Sequence, residues 1–351
     1  MTAVRVALVG TGWWATAIHL PALRDCGDAD VVAVCDPDLS RARRVAEKNG
    51  IPRVFASIDE LISAGTADAV IIATPHVTHF PLASACLDAG LHVLVEKPMT
   101  LTAADAFALV EKAERVGRHL AIGYTYQYAS TAPFVRQAVQ RGIGDLVQVV
   151  VEFTSNAGDL YARASEADDE RPDAPHPGAY SRANGGGQAH TQLTHAMGML
   201  CWATGRQIAE VSAFTDDRGL DVDVVDAAAF RFTGGGIGVA ASTGTDVNGR
   251  EVRHHVRYIG TERTIEQNLL SGDVRVLSEA GEIETFTADA GGSTYRSERP
   301  SQAFIELIRG IGPNLSPVRP AAATVAFLEA MLEAARTGRR VVVPQLPPIV
   351  R

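Results

Sequence analysis

The chain has 351 residues, 46% of them hydrophobic and 21% charged, with a formal net charge of -9. That length supports two domains with buried cores, and the acidic balance excludes a sequence-independent grip on phosphate backbones, so no nucleic-acid partner is expected. No apolar run approaches the ~20 residues that cross a bilayer, and Met1-Thr2-Ala3 enters a strand with no basic-then-apolar leader, so a cytoplasmic protein without a membrane partner is expected.

Residues 4–9 read as a buried strand that runs into Gly10-Thr11-Gly12-Trp13-Trp14-Ala15. In this G-x-G-x-x-A spacing the first glycine permits a tight turn and the second lets the backbone approach a pyrophosphate. The small third residue lets the next helix pack closely on the sheet. A helix over 14–26 would aim its N-terminus at the phosphates. A second strand, 31–35, ends at Asp36. A carboxylate there accepts hydrogen bonds from the adenosine ribose and repels a 2′-phosphate, which favours NAD, while Arg41 and Arg43 keep NADP open.

Strands at 54–55, 69–73, 92–95 and 119–123 then alternate with helices at 39–49, from 57, at 79–89 and at 102–116, the mark of a parallel, doubly wound sheet. Ser57-Ile58-Asp59-Glu60 reads as a capping box. Thr74-Pro75-His76 and Glu96-Lys97-Pro98 follow the carboxyl ends of strands in the second half of that sheet, where both can face the nicotinamide end of a dinucleotide. Lys97 stands at the mouth of this site. His76 and His79 have the i, i+3 spacing of a metal pair but no third ligand, so no metal is expected. Cys26, Cys35, Cys86 and Cys201 lie far apart and read as reduced thiols.

Beyond residue 123 the strands lengthen, at 146–153, 208–214, 227–232, 238–243, 252–260, 264–268, 274–277 and 283–286, without a helix after each. Helices at 302–311 and 321–336 and a last strand at 337–344 close the chain. The expected architecture is α/β plus α+β: a Rossmann domain over 1–123, then a domain over 124–351 built on a large, mainly antiparallel open sheet. The last helix and strand are expected to pack back toward the first domain. Tyr124-Thr125-Tyr126-Gln127-Tyr128 links the two, with Tyr124 and Gln127 as candidate substrate contacts.

Gly185-Gly186-Gly187 leads into Gln188-Ala189-His190-Thr191-Gln192-Leu193-Thr194-His195-Ala196-Met197. Drawn as one helix at about 100° per residue, Leu193, Met197, Leu200 and Thr204 share an apolar face. Gln188, Thr191, His195, Met199 and Trp202 lie opposite, on a face able to line a sugar-sized pocket. His195 is the candidate acid or base, and His190 points to the apolar side. His254 and His255, adjacent on a strand, face opposite ways and make a poor ligand pair. Arg163, Arg171 and Arg182, in the charged stretch 155–184, read as solvated residues with internal ion pairs.

With these pieces the chain resembles the glucose-fructose oxidoreductase, inositol dehydrogenase and rhizopine-catabolism family over nearly its whole length. The resemblance rests on Gly10 to Ala15 with His19 and Pro21, Thr74-Pro75 with His79, Glu96-Lys97-Pro98, the triple glycine with His195, and Thr337-Gly338-Arg339-Arg340-Val341. It implies tightly held NAD(H) or NADP(H), sugar, inositol or polyol substrates, and dimers or tetramers formed through the C-terminal sheet. It also implies that Lys97 touches substrate and nicotinamide ribose and that His195 is the acid or base.

The expected reaction is hydride transfer between a secondary alcohol and the nicotinamide, with His195 as base and Lys97 positioning the hydroxyl. The reverse assignment, with Lys97 as base, stays open. So do a glycoside hydrolase using NAD transiently and a non-catalytic sugar sensor. In one place the chain departs from the family: Gly-Gly-Gly-x-x-x-Asp-x-x-x-His has Thr191 at its Asp. Thr191 keeps a hydrogen-bonding group and loses the charge, so Gln188 and Gln192 become candidates for binding hydroxyls.

Overall fold

The computed structural model describes residues 2–163, 177–246, 252–278, 280–281, 283–288 and 295–348. Its first sheet is parallel throughout, in the order β3-β2-β1-β4-β5-β6. The strands are β1 (Val4–Val9), β2 (Ala29–Cys35), β3 (Arg53–Phe55), β4 (Ala69–Ile72), β5 (His92–Val95) and β6 (Leu120–Ile122). Continuous apolar runs suit strands covered on both faces, and every residue of β4 is buried. The covering helices are α1 (Leu20–Asp25), α2 (Leu39–Asn49), α3 (Ile58–Ala64), α4 (His79–Asp88) and α5 (Ala103–Val116). α1 follows a π-helical turn, Ala15–His19, so the helix expected over 14–26 is wider in its first turn.

Local signals set several ends. Ser57 caps α3 by accepting from Glu60 N–H at 3.3 Å, while the Glu60 carboxylate reaches back to Ala56 N–H at 3.0 Å. Caps of this kind contribute about 1 kcal/mol each.

The second domain opens with α6 (Ala132–Arg141), a helix missing from the sequence expectations. Pro133 near its start and buried Ala132, Val135 and Val139 on one face mark it. Next come β7 (Leu146–Thr154), α7 (Gly158–Ala162), α8 (Thr194–Thr204), β8 (Ile208–Asp216), β9 (Val225–Phe232) and β10 (Ile237–Thr243). They are followed by β11 (His254–Gly260), β12 (Arg263–Asn268), β13 (Val274–Ser278), β14 (Ile283–Phe286), α9 (Arg299–Ile308), α10 (Val318–Thr337) and β15 (Val341–Val342). Nine strands form the second sheet in the order β14-β13-β12-β11-β7-β10-β9-β8-β15. All its pairs are antiparallel except β7 with β10. One face packs on α8 and α10; Phe214, Ile237 and Val239 stand exposed on the other.

The closing elements divide between the domains. Phe304 and Ile305 of α9 enter the core beside Leu20, Leu23, Leu94 and Ala121. α10 packs against α5 on one side and α8 and β8 on the other, while β15 pairs with β8 in the second sheet. Ile122 N–H donates to Ser316 O at 3.2 Å, so residues just before α10 cover the edge strand β6. None of the four cysteines is in a disulfide; burial pushes the thiols of Cys35 and Cys201 up to about 11 and that of Cys86 to about 12. Among the described residues no helix is long and apolar enough to cross a membrane.

Candidate functional site

The carboxyl ends of β1 and β2 meet at the glycine turn. Gly10 sits at φ +91°, and a Cβ there would lie 2.4 Å from Ala73 O, so only glycine closes the turn. Gly12 differs: a Cβ there would meet nothing within 4 Å, leaving open space in front of the backbone. Asp36 is buried with its carboxylate fixed in place. Its Oδ2 accepts from Thr11 N–H and Thr11 Oγ1, both at 2.8 Å, and its Oδ1 accepts from Asp38 N–H and the Arg41 guanidinium, both at 2.9 Å. A tight turn, free space where a pyrophosphate would approach, and a carboxylate at the ribose position fit a nicotinamide dinucleotide.

Glu96 and Lys97 follow β5 and diverge. The Glu96 carboxylate turns inward, accepting from Trp14 Nε1 at 3.0 Å and lying 3.1 Å from His19 Nε2. Burial alone would raise its pKa, but the hydrogen bond and charge of His19, with Lys97 and Trp14, hold it below the ordinary value. Glu96 therefore ties the end of β5 to the segment after the glycine turn, a tethering place that its adjacency to Lys97 does not reveal. A Cβ on Gly123 would lie 2.3 Å from Glu96 Oε1. Trp13 and Trp14 are partly buried, their ring centroids 5.7 Å apart.

His79, buried in α4, bonds Pro98 O at 2.8 Å and Thr74 O at 3.0 Å, joining the turns after β4 and β5. Thr74 Oγ1 pairs with Thr78 Oγ1 at 2.7 Å, and Pro75 is exposed beside it. His76 reaches across to the second domain, its Nδ1 2.8 Å from Gly185 O. The histidine pair is thus spent on backbone carbonyls. Among the described residues no group of three His, Cys, Asp or Glu is placed to hold a metal.

Lys97 also crosses between domains, its Nζ donating to Thr191 O at 2.9 Å. Burial pushes its pKa down, with Glu96 partly opposing. The acceptor belongs to a π-helical turn, Ala189–Leu193, that precedes α8; π turns recur at functional sites. The π turn breaks the 100° projection, and every residue of α8 is buried. The face expected to line a pocket is therefore mostly packed in protein. Trp202 lies under the Arg136 guanidinium, 4.8 Å from the ring centroid.

Gln188 is one such residue. Its Oε1 accepts from the Tyr161 hydroxyl at 3.0 Å and its Nε2 donates to Ser242 Oγ at 2.8 Å. Tyr124 is buried, sharing a 2.9 Å hydrogen bond between its hydroxyl and Thr194 Oγ1. These two are framework, not pocket wall. Gln127 is 2% exposed and its Oε1 has no partner, while Gln192 is partly exposed. Arg182 pairs with Asp221 at 3.1 Å on the surface, and Arg171 lies outside the described residues.

His195 sits in an aromatic enclosure. The rings of Tyr124, Tyr126, Phe153 and Tyr295 have centroids 6.4, 5.8, 6.3 and 5.7 Å away. Its Nδ1 is buried without a hydrogen-bond partner. Burial pushes its pKa well below the usual histidine range, and the Lys97 and His254 charges push the same way. His254 stacks on Phe153 at 3.7 Å and shares a 2.7 Å hydrogen bond with the Tyr126 hydroxyl.

Open space before Gly12, a buried carboxylate at the end of β2, and a lysine crossing to the segment before His195 are together the features of a dinucleotide-binding Rossmann domain joined to a second domain. Residues 4–124 match the GFO_IDH_MocA oxidoreductase family with its NAD-binding Rossmann fold, and residues 133–266 match the GFO/IDH/MocA C-terminal domain. The chain belongs to this family.

It is 30% identical over 207 residues to the rhizopine catabolism protein MocA of Rhizobium meliloti, a match spanning 59% of each chain. It is 28% identical over 288 residues to the myo-inositol 2-dehydrogenase of Thermotoga maritima, 80% of each chain. The structure of UDP-N-acetylglucosamine 3-dehydrogenase GnnA from Acidithiobacillus ferrooxidans superposes with a TM-score of 0.76 at 21% identity, covering 96% of this chain and 99% of that one.

Sequence reasoning missed Tyr161, Asp223 and Asp226, which lie behind Thr191. Asp223 and Asp226 precede or begin a strand and carry no motif, and Tyr161 follows a long separation. Only the tertiary fold joins them.

Proposed function

We propose that this protein oxidises a secondary alcohol of a sugar, sugar derivative or cyclitol. NAD, when bound, supplies the hydride acceptor. The substrate named for the myo-inositol 2-dehydrogenase above supports that class. The observation that carries the reading is Lys97, which reaches from the end of β5 to the carbonyl of Thr191 beside His195. Oxidation removes two things from the alcohol: a hydride from carbon and a proton from oxygen. The chain's task is to orient the carbon and take the proton.

We assign the proton to Lys97. Protonating His195 would bury a cation and leave its Nδ1–H without an acceptor inside the aromatic enclosure, a costly arrangement. The neutral ring places its proton on Nε2, which makes His195 a donor to the substrate oxygen. The Lys97 amine, with its pKa lowered by burial, can be neutral before the step and an ammonium after it. This moves the base from His195 to Lys97. The test is a spectrophotometric screen of NAD and NADP against sugars, inositols, sugar acids and aryl glycosides. One NADH per ketone formed is the expected result, with NAD preferred over NADP because of Asp36; release of aglycone without net NADH, or no turnover across the panel, would overturn the reading.

The same reading assigns the uncovered face of the nine-stranded sheet to a second copy of the chain, as a dimer or tetramer. Phe214 is 83% exposed there, with Ile237 and Val239 nearby on the same open face, and apolar sheet surface of this kind favours self-association. Sedimentation should give a multimer that Phe214→Asp weakens; a monomer at micromolar concentration rejects this assignment.

A further inference from the structure

Helix α7 carries a phenol to which the catalytic reading gives no role. Tyr161 is 3% exposed, and its hydroxyl reaches the start of the catalytic helix, 3.0 Å from Gln188 Oε1 and 2.5 Å from Thr191 Oγ1. Thr191 Oγ1 donates its proton to Gly187 O at 2.7 Å, so the Tyr161 hydroxyl is the donor in the 2.5 Å pair and its single proton is shared between Thr191 Oγ1 and Gln188 Oε1. The Thr191 carbonyl is the acceptor for Lys97 Nζ. One residue of the π turn is therefore held by its side chain on one side and holds the lysine by its backbone on the other.

The turn is clamped from below as well. Gln188 N–H donates to Asp223 O at 2.8 Å, and Ala189 N–H donates to Asp223 Oδ2 at 2.6 Å. Asp226, 1% exposed, finds no hydrogen-bond donor for either oxygen. Burial and the neighbouring Asp223 push its pKa well above the usual carboxylate range. Burial pushes the Tyr161 phenol well above its ordinary value, with Asp223 and Tyr180 adding to the shift and the Thr191 hydrogen bond opposing it, so it stays a hydroxyl.

We propose that Tyr161 is the positioning residue of this site: with Thr191 it forms an uncharged hydroxyl pair that fixes the Thr191 carbonyl on the Lys97 amine. The proposal rests on the reading of Lys97 as proton acceptor. Its chemical sense lies in the charge it avoids. A carboxylate at position 191 would stand beside the amine and stabilise its ammonium form. Threonine held by a phenol keeps the anchoring geometry and leaves Glu96 as the acidic group acting on Lys97, opposed by burial. The other titratable groups around the amine are His76, His79 and His195, each with its pKa pushed down by burial, which favours the neutral ring.

The chain has three lysines, Lys48, Lys97 and Lys112, so lysine-labelled NMR follows the Lys97 pKa directly, apart from turnover. Tyr161→Phe should lower the Lys97 pKa further, because the ammonium loses a fixed carbonyl acceptor, and lower kcat about tenfold or more with KM for NAD within a factor of two. Thr191→Ser should keep the wild-type pKa, and Thr191→Asp should raise it by about 1–3 units. Should Tyr161→Phe fail to fold, Thr191→Val cuts the same link from the other end. An unchanged Lys97 pKa and kcat in Tyr161→Phe or Thr191→Val overturns the positioning role. If instead Lys97→Met keeps the wild-type pH profile of kcat, the lysine-base reading itself fails, whatever Tyr161 does.

Discussion

Lys97→Met should lower kcat by about 10³-fold, within the range for loss of a general base, while the Kd for NAD measured by fluorescence quenching stays within a few-fold. Lys97→Arg should be equally impaired, because a guanidinium cannot give up its proton at working pH. If Lys97 takes the proton as proposed, oxidation in the wild type requires the neutral amine. The rate therefore rises with pH through an acid limb that belongs to Lys97 and lies below the ordinary lysine range. His195→Gln should cost less, about 10- to 100-fold, and leave that limb in place, since the imidazole donates without changing charge. Collapse of NAD binding in Lys97→Met with normal residual turnover would show that the lysine serves the cofactor and not the proton.

The second large effect separates two glycines by what surrounds them. Gly187 lies at φ +104°, and a Cβ there would stand 2.1 Å from Asp223 Oδ1. Gly187→Ala should therefore destabilise the fold by about 3 kcal/mol, combining backbone strain with overpacking. The thermal midpoint should fall by several degrees. Gly12→Ala should leave the midpoint unchanged, since a Cβ there meets nothing within 4 Å, yet weaken NAD binding by filling the space before the turn. Thermal unfolding and NAD titration on both variants check this. Equal loss of stability in the two would mean that Gly12 is held by structure, not by access for a ligand.

Much of this architecture is legible in the residues. A stretch of strand buried on both faces must be apolar at each position, so β4 throughout, β1 from Val6 and β5 from Val93 read without periodicity. The Gly10 and Asp36 assignments rest on contacts short in sequence or dictated by one strand pair. Helix faces proved harder. Projecting from Gln188 at a constant angle fails because the π turn Ala189–Leu193 adds a residue, and no composition rule announces such a turn. Glu96 and Lys97 are neighbours with opposite fates, decided by His19 and Trp14 on one side and Thr191 on the other. α6 was legible in principle, from Pro133 and the spacing of Ala132, Val135 and Val139, but its short apolar stripe lies between stronger aromatic and strand signals. The parallel pairing of β7 with β10 depends on the path between them, which burial patterns alone do not encode.

The way α9, α10 and β15 are shared has a mechanical consequence. After leaving the parallel sheet at Ile122 the chain returns to it with Phe304 and Ile305, passes α10 between the two sheets, adds β15 to the far one, and seats Leu346 in the core of the first. A body laced this many times behaves as one block, with little freedom to swing open like a clam. Cutting the chain before α9 should accordingly loosen the parallel-sheet half as well as the nine-stranded half, although the parallel sheet ends in sequence some 180 residues earlier.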